Sequence, residues 1–436
     1  MSQPPKDEYF QPEPLPVVGE ATSLLIPEGA QGPQTMQRRL WFLLPLAGLS
    51  ISMVWGGVLQ GLIARQVPTF VAQESAQAAT LGVVLTVGAI SATVFTPFVG
   101  QLSDRTRSKF LGRRNIWMLG GAIIGALTLL LTALAPSTIL LAIAWAVALI
   151  PLNGFQAAMA AVVPERVPVP VRARFTAMNG MAALVGVGIG AVLGNLVGIT
   201  PAYIVLGVQL IVVGAVFAFF TRDVEPPKAT PGETVVKSKF PGICTAPDFW
   251  LVFVGRFMAF LAYGLATGLT LYALRDYFKV GDGTLKAAQT LNGTLIVPMS
   301  TGLLIISAIA GGFLADKFRR MKPFVIGASL LFVPAALILM FVHSAPGAIA
   351  GLALLGFGFG SYISVDGALI TMVLPRLEDA GRDLGVLNIA NSGPQIIAPV
   401  VAGAVVSTLG FGWLYGLVIV VALLASVFVV LVKSVR

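Results

Sequence analysis

Two charged residues, Arg256 and Asp366, stand inside long apolar runs of this 436-residue chain. A charge inside such a run is expensive to bury and is usually functional: it pairs, binds a ligand or moves a proton. A carboxylate beside a guanidinium has the parts for proton exchange, because its proton affinity follows its neighbours. The same two residues equally well make a static ion pair, and the residue types leave both readings open. Arg256 lies about seven residues into its run and Asp366 about seven before the end of its own. With a rise of about 1.5 Å per helical residue, both fall about 10 Å from the same face, within reach of each other.

Uncharged side chains suited to a polar ligand are scattered over other runs. Asn153 and Gln156 are three positions apart and share a helix face, with Pro151 just before them. Trp55 offers a ring for stacking and Gln60 an amide, although five positions apart they do not share a face. Tyr263, Asn391 and Gln395 complete the candidate substrate-binding set. Each of these residue types also serves as glue between helices. His343, the only histidine, falls at the end of an apolar run, where an interfacial place is expected.

An enzyme would need a nucleophile with its base, or a cluster of metal ligands. One His, one Cys (Cys244) and two isolated charges supply neither, so no catalytic residue, metal or cofactor is expected. The chain has no Gly-x-x-x-x-Gly-Lys loop, which argues against ATP as its own energy source.

The elements that position these residues follow from composition. Hydrophobic residues make up 56% of the chain and charged residues 11%, against about 25% charged in soluble domains. Apolar runs near 40–64, 78–102, 115–135, 138–163, 174–197, 200–221, 249–274, 290–315, 323–342, 347–373, 385–408 and 411–433 are each long enough to cross about 30 Å of hydrocarbon as a helix. They are continuous rather than alternating, which excludes barrel strands. The polar, proline-bearing segment 222–248 splits them six and six. The expected organisation is a disordered cytoplasmic tail (1–38), a six-helix bundle (39–221), a central cytoplasmic loop (222–248) and a second six-helix bundle (249–436). The tail lacks the apolar core of a cleavable signal peptide.

Of the 28 Lys and Arg residues, 23 fall at one end of this arrangement and only Arg65, Arg275, Lys279 and Lys286 at the other. Basic loops stay on the cytoplasmic side, so both termini are expected inside. The net charge of +9 is thereby explained by topology, and no nucleic-acid partner is expected.

A short motif occurs twice. Gly100-Gln-Leu-Ser-Asp104 and Gly312-Phe-Leu-Ala-Asp316 lie 212 positions apart, each after an apolar run and before a basic cluster. The first leads to Gly112-Arg113-Arg114. On these residues the chain resembles the major facilitator superfamily over nearly its whole length. The resemblance implies an all-α membrane protein of twelve helices in two pseudo-symmetric bundles. It also implies a secondary transporter that works by alternating access around a cavity lined by helices 1, 4, 7 and 10. In that family Gly100, Asp104, Gly112, Arg113, Arg114, Gly312 and Asp316 would form a conformational latch. Gly100 would allow close helix packing, and Asp104 would face the start of helix 11.

The stretch Asp104-Arg-Thr-Arg-Ser-Lys-Phe-Leu-Gly112 and the run from Val365 to Pro375 resemble the glycoside and sucrose cation symporters. That branch implies cation-coupled uptake of a sugar or glycoside; the chain is expected in the plasma membrane and to be monomeric there. Thr96 stands before Pro97 where such symporters often carry an ion-binding Asp, so protons are expected rather than sodium. The alternative is an exporter of a metabolite, drug or antibiotic by proton antiport. The glycines at 180, 186, 188, 190 and 194 in the fifth run suit close backbone approach in either case.

Overall fold

The computed structural model describes residues 38–106, 108, 111–221, 246–318, 321–373 and 380–432. The expected tail and central loop lie almost wholly outside these residues. Among the described residues, 12 helices are long and apolar enough to cross a membrane. In hydrocarbon every backbone N–H and C=O must be satisfied by the chain itself, which a helix does within one segment. They are α1 (Leu40–Phe70), α2 (Glu74–Arg105), α3 (Arg113–Ala133), α4 (Thr138–Arg166), α5 (Val169–Leu196) and α6 (Ile199–Phe220) in the first half. The second half holds α7 (Pro247–Tyr277), α8 (Leu285–Leu291, Asn292–Ile296 and Val297–Phe318), α9 (Met321–Phe341), α10 (Ala345–Val373), α11 (Ala380–Thr408) and α12 (Phe411–Leu431). Twelve crossings return the chain to the face on which it began. That face is called here the basic end, and the opposite one the far end.

All twelve expected runs are helices, but several continue past their expected ends. At the far end α1 runs on to Phe70 and α8 begins at Leu285. The sequence assigns Arg65 and Arg275 to loops there; the structure places both inside helical segments. Arg65 donates to the carbonyls of Gly194 (2.7 Å) and Val197 (2.6 Å). A cation at the carboxyl end of α5 satisfies carbonyls that the helix itself leaves open. The segment 164–174 is likewise mostly helical, since only Val167 and Pro168 separate α4 from α5. Gly112 opens the turn into α3 at φ 83°, a conformation that favours glycine.

Two π-helical turns occupy corresponding places in the halves, Val58–Leu62 in α1 and Ala273–Tyr277 in α7. A third, Asn292–Ile296, interrupts α8. Such turns are frequent at functional sites. Lipid-facing surface is supplied by exposed apolar side chains such as Phe42, Ile139, Phe313 and Trp413.

Glycines set how closely α1 and α5 approach. A Cβ at Gly186 would lie 2.3 Å from the Leu49 carbonyl oxygen, at Gly190 1.9 Å from that of Met53, and at Gly194 2.3 Å from that of Gly57. Gly56 meets the Val187 carbonyl in return. Two backbones in contact gain packing that lipid tails do not offer. The other two expected glycines differ: Gly188 faces Thr301 of α8, and Gly180 has no described atom within 4 Å.

Four hydrogen bonds with both ends among the described residues join the halves. Tyr272 Oη donates to the Ala64 carbonyl (2.9 Å), Arg275 Nη1 to Gln77 Oε1 (2.7 Å), Asn292 Nδ2 to Asn195 Oδ1 (3.2 Å) and Thr86 Oγ1 to the Ile396 carbonyl (3.3 Å). The first three sit at the far end, and Thr86 lies midway along α2.

Candidate substrate and coupling site

Arg256 projects from α7 and meets two other helices. Its Nη1 makes an ion pair with Oδ2 of Asp366 on α10, and its Nε donates to Oδ1 of Asn391 on α11 (2.8 Å). Asp366 is 2% exposed. Its other oxygen accepts from the hydroxyl of Tyr362, one turn earlier on α10 (3.1 Å). The carboxylate is therefore held from two sides. A buried charge of this kind persists only when paired and hydrogen-bonded.

Aromatic rings surround the pair. The guanidinium carbon of Arg256 lies 5.3 Å from the centre of the Phe260 ring, a cation–π contact one turn along α7. Phe260 meets Phe359 edge-on at 5.2 Å. Phe359 stacks on Tyr263 at 3.7 Å with the planes 6° apart. An aromatic cluster thus adjoins the ion pair through Phe260, with Phe260 nearly perpendicular to the stacked Phe359 and Tyr263.

The first half carries a second constellation. Trp55 of α1 donates its indole N–H to Oε1 of Gln156 on α4 (2.9 Å). Its ring meets Trp145, also on α4, edge-on at 6.3 Å. Gly88 of α2 makes room for Trp145: a Cβ there would fall 2.5 Å from the indole.

The remaining candidates are placed apart from these groups. Asn153 donates its amide to the Leu149 carbonyl of its own helix (2.8 Å), a back-bond along α4. Gln60, in the π turn of α1, and Gln395, on α11, are exposed. His343 meets the Tyr277 hydroxyl at 2.7 Å at the far end of the second half. A shallow depression of about 480 Å³, lined by Thr284, Lys286 and Thr290 among others, shares no residue with either constellation. Tyr362, Phe260, Phe359 and Trp145 are absent from the sequence-based candidates. Two of them carried a usable signal, since Tyr362 stands four residues before Asp366 and Phe260 four after Arg256.

At the basic end, Arg113 and Arg114 both bind Glu165 at the foot of α4, each through a 2.6 Å contact. Arg114 also donates to Ser103 Oγ on α2 (3.0 Å). The expected latch cations are thus tied to an acid within their own half. The backbones of Asp104 and Asp316 are helical, and their side chains lie outside the described residues. Gly100 differs from expectation, having no described atom within 4 Å of a Cβ position. In the second copy it is Gly311, rather than Gly312, that packs closely, with Ser361 and Ser364 of α10 against it.

The sequence profile of the Major Facilitator Superfamily matches residues 40–333 and 284–436. The chain belongs to the Major Facilitator Superfamily. It is therefore a multi-pass membrane protein of a transporter family. A solved structure of a bacterial homologue of the human lysosomal transporter Spinster, in an inward-facing and occupied conformation, superposes with a TM-score of 0.69 at 17% identity, covering 91% of this chain and 97% of that one. The unoccupied inward-facing form gives 0.65, covering 92% and 95%. At that identity the likeness concerns the fold alone. Among curated relatives, a fujikurins efflux protein of Gibberella fujikuroi is 24% identical over 49% of this chain and 42% of its own length. The transporter asaE of Aspergillus flavus is 28% identical over 26% of each chain. The matched region spans less than half the length of these relatives.

Proposed function

We propose that this transporter moves a small, ring-bearing organic molecule out of the cell by alternating access, coupled to protons at Asp366. The observation that carries the reading is the Arg256–Asp366 ion pair buried beside the aromatic cluster of Phe260, Phe359 and Tyr263, which meets it through Phe260. A carboxylate there exchanges a proton as the cavity opens to one side and then the other. Trp55, Gln156, Tyr263 and Asn391 serve as substrate contacts. Efflux is favoured over sugar uptake by the name of one relative, an efflux protein, and by the aromatic lining beside the ion pair. The basic end is cytoplasmic by its charge. The halves are drawn together at the far end, so the substrate enters from the cytoplasm. Arg113, Arg114 and Asp104 take part in closing that cytoplasmic end during the cycle.

The test uses inside-out and right-side-out membrane vesicles, with a pH step of either sign. The panel holds ring-bearing metabolites together with mono- and disaccharides. Accumulation of a ring-bearing compound in inside-out vesicles, lost in Asp366→Asn, is the expected result. Accumulation of a sugar in right-side-out vesicles with an acidic exterior, and of nothing in inside-out ones, would establish uptake instead.

A further inference from the structure

Arg256 uses only part of its donor set. A guanidinium carries five N–H groups. Nε is taken by Asn391 and Nη1 by Asp366, while Nη2 has no hydrogen-bond partner among the described residues. The side chain keeps 13% of its surface, against 3% for Asp366. One face of the guanidinium is covered by Phe260. The open part is therefore the Nη2 end, with its two N–H groups, on a guanidinium whose face lies against Phe260. Free N–H donors on a cation beside an aromatic ring suit an anionic oxygen group most strongly, and a carboxylate carried on a ring would use both features.

We infer that the transported molecule is an organic anion, that its charged group docks on Arg256, and that Asp366 takes up a proton as it does so. This rests on the proposed function, whose site it shares, and departs from proton antiport.

The charge balance gives the reason. Arg256 and Asp366 sum to zero inside the membrane. A docked anion would bring the sum to −1, with two carboxylates competing for one guanidinium. Binding one proton from the open aqueous side onto Asp366 restores neutrality. Protonated Asp366 still hydrogen-bonds to Tyr362, so its site needs no rebuilding. Among the described residues, the only charged or titratable groups touching Asp366 are Arg256 and Tyr362. No second carboxylate is present among them to accept the proton in its place. Anion and proton then bind together and leave together. Net movement is electroneutral and is driven outward by accumulation of the anion itself. Asp366 acts as the stand-in anion that neutralises Arg256 when the site is empty.

The experiment is equilibrium binding to the purified full-length protein at about pH 7.5, by calorimetry in two buffers of different ionisation enthalpy. The probes are benzoate and 2-naphthoate, each beside its alcohol and its amine. The acids are expected to bind at least about tenfold more tightly than their partners, a difference of about 1.4 kcal/mol. Close to one proton should be taken up per acid bound, and that uptake should vanish in Asp366→Asn while binding persists. Arg256→Lys should keep the preference for acids. Arg256→Gln combined with Asp366→Asn should abolish it without leaving a lone buried charge. No preference for acids over alcohols and amines across the panel, or acid binding without proton uptake, would overturn the inference. Efflux in vesicles is measured separately, so loss of the anion preference leaves the efflux reading standing, and uptake in vesicles leaves the anion site standing.

Discussion

Asn292 of α8 donates its amide to Asn195 of α5 at 3.2 Å, across the boundary between the two halves. Both residues are 2% exposed, and Asn195 also donates to the Ala191 carbonyl of its own helix (2.7 Å). The side-chain oxygen Oδ1 of Asn292 is buried without a partner among the described residues. The contact is thus a weak, uncharged clasp at the far end, suited to opening once per cycle. In Asn292→Asp a buried carboxylate would stand against Oδ1 of Asn195, at a cost of several kcal/mol. States of such a carrier differ by only a few kcal/mol. The variant should therefore open at the far end. Spin labels at the exposed positions Ala72 and Asp282, on a Cys244→Ser background, should report a shift to longer distances. An unchanged distance distribution would show that the clasp does not hold the far end shut.

The ion pair makes a second prediction. Removing one partner of a buried pair costs about 3–5 kcal/mol because the other charge is stranded. Asp366→Asn and Arg256→Gln should each lower the melting temperature in detergent. The double variant should recover most of the loss, since both charges are gone and Asn has the shape of Asp. Transport should be absent or uncoupled in all three. Equal destabilisation in the double variant and the worse single one would show that the pair is held by something other than mutual neutralisation.

Helix approach gives a third. At Gly190 a Cβ would fall 1.9 Å from the Met53 carbonyl oxygen, so α1 and α5 must separate to admit one. Gly190→Val should reduce the folded yield sharply, by more than the roughly 1–3 kcal/mol typical of overpacking. Gly180→Ala, on the same helix with open space around it, should be tolerated or slightly stabilising. Size-exclusion profiles after mild heating would compare the two.

The cluster at the basic end separates two arginines of one motif. Arg114 has 7% of its side chain exposed and Arg113 20%, yet both bind Glu165. Glu165→Gln should be the most damaging of the three neutral replacements, because it withdraws the carboxylate from both cations. Arg113→Gln should cost no more than about 1 kcal/mol, as for a partly exposed pair. Thermal stability and transport rate measured on the same preparations would rank them.

The twelve helices, their division into halves and the face bearing the basic residues follow from the sequence by itself. Length and continuous hydrophobicity leave helices as the only way to satisfy a backbone in lipid. The reach of Arg256 to Asp366 was also legible, because two lone charges at equal depth in one bundle have few other partners. Tertiary structure alone decided the rest. It turned Arg65 and Arg275 from loop cations into caps and ties, since the groups that hold them come from distant helices. It chose Gly186, Gly190 and Gly194 over Gly180 as the contact glycines, because the face turned to α1 depends on how the helices are docked. It gave Arg256 to Asn391 and not to Gln395, and left Asn153 bonded to its own helix. Periodicity tells which residues share a face. Only packing tells what that face meets.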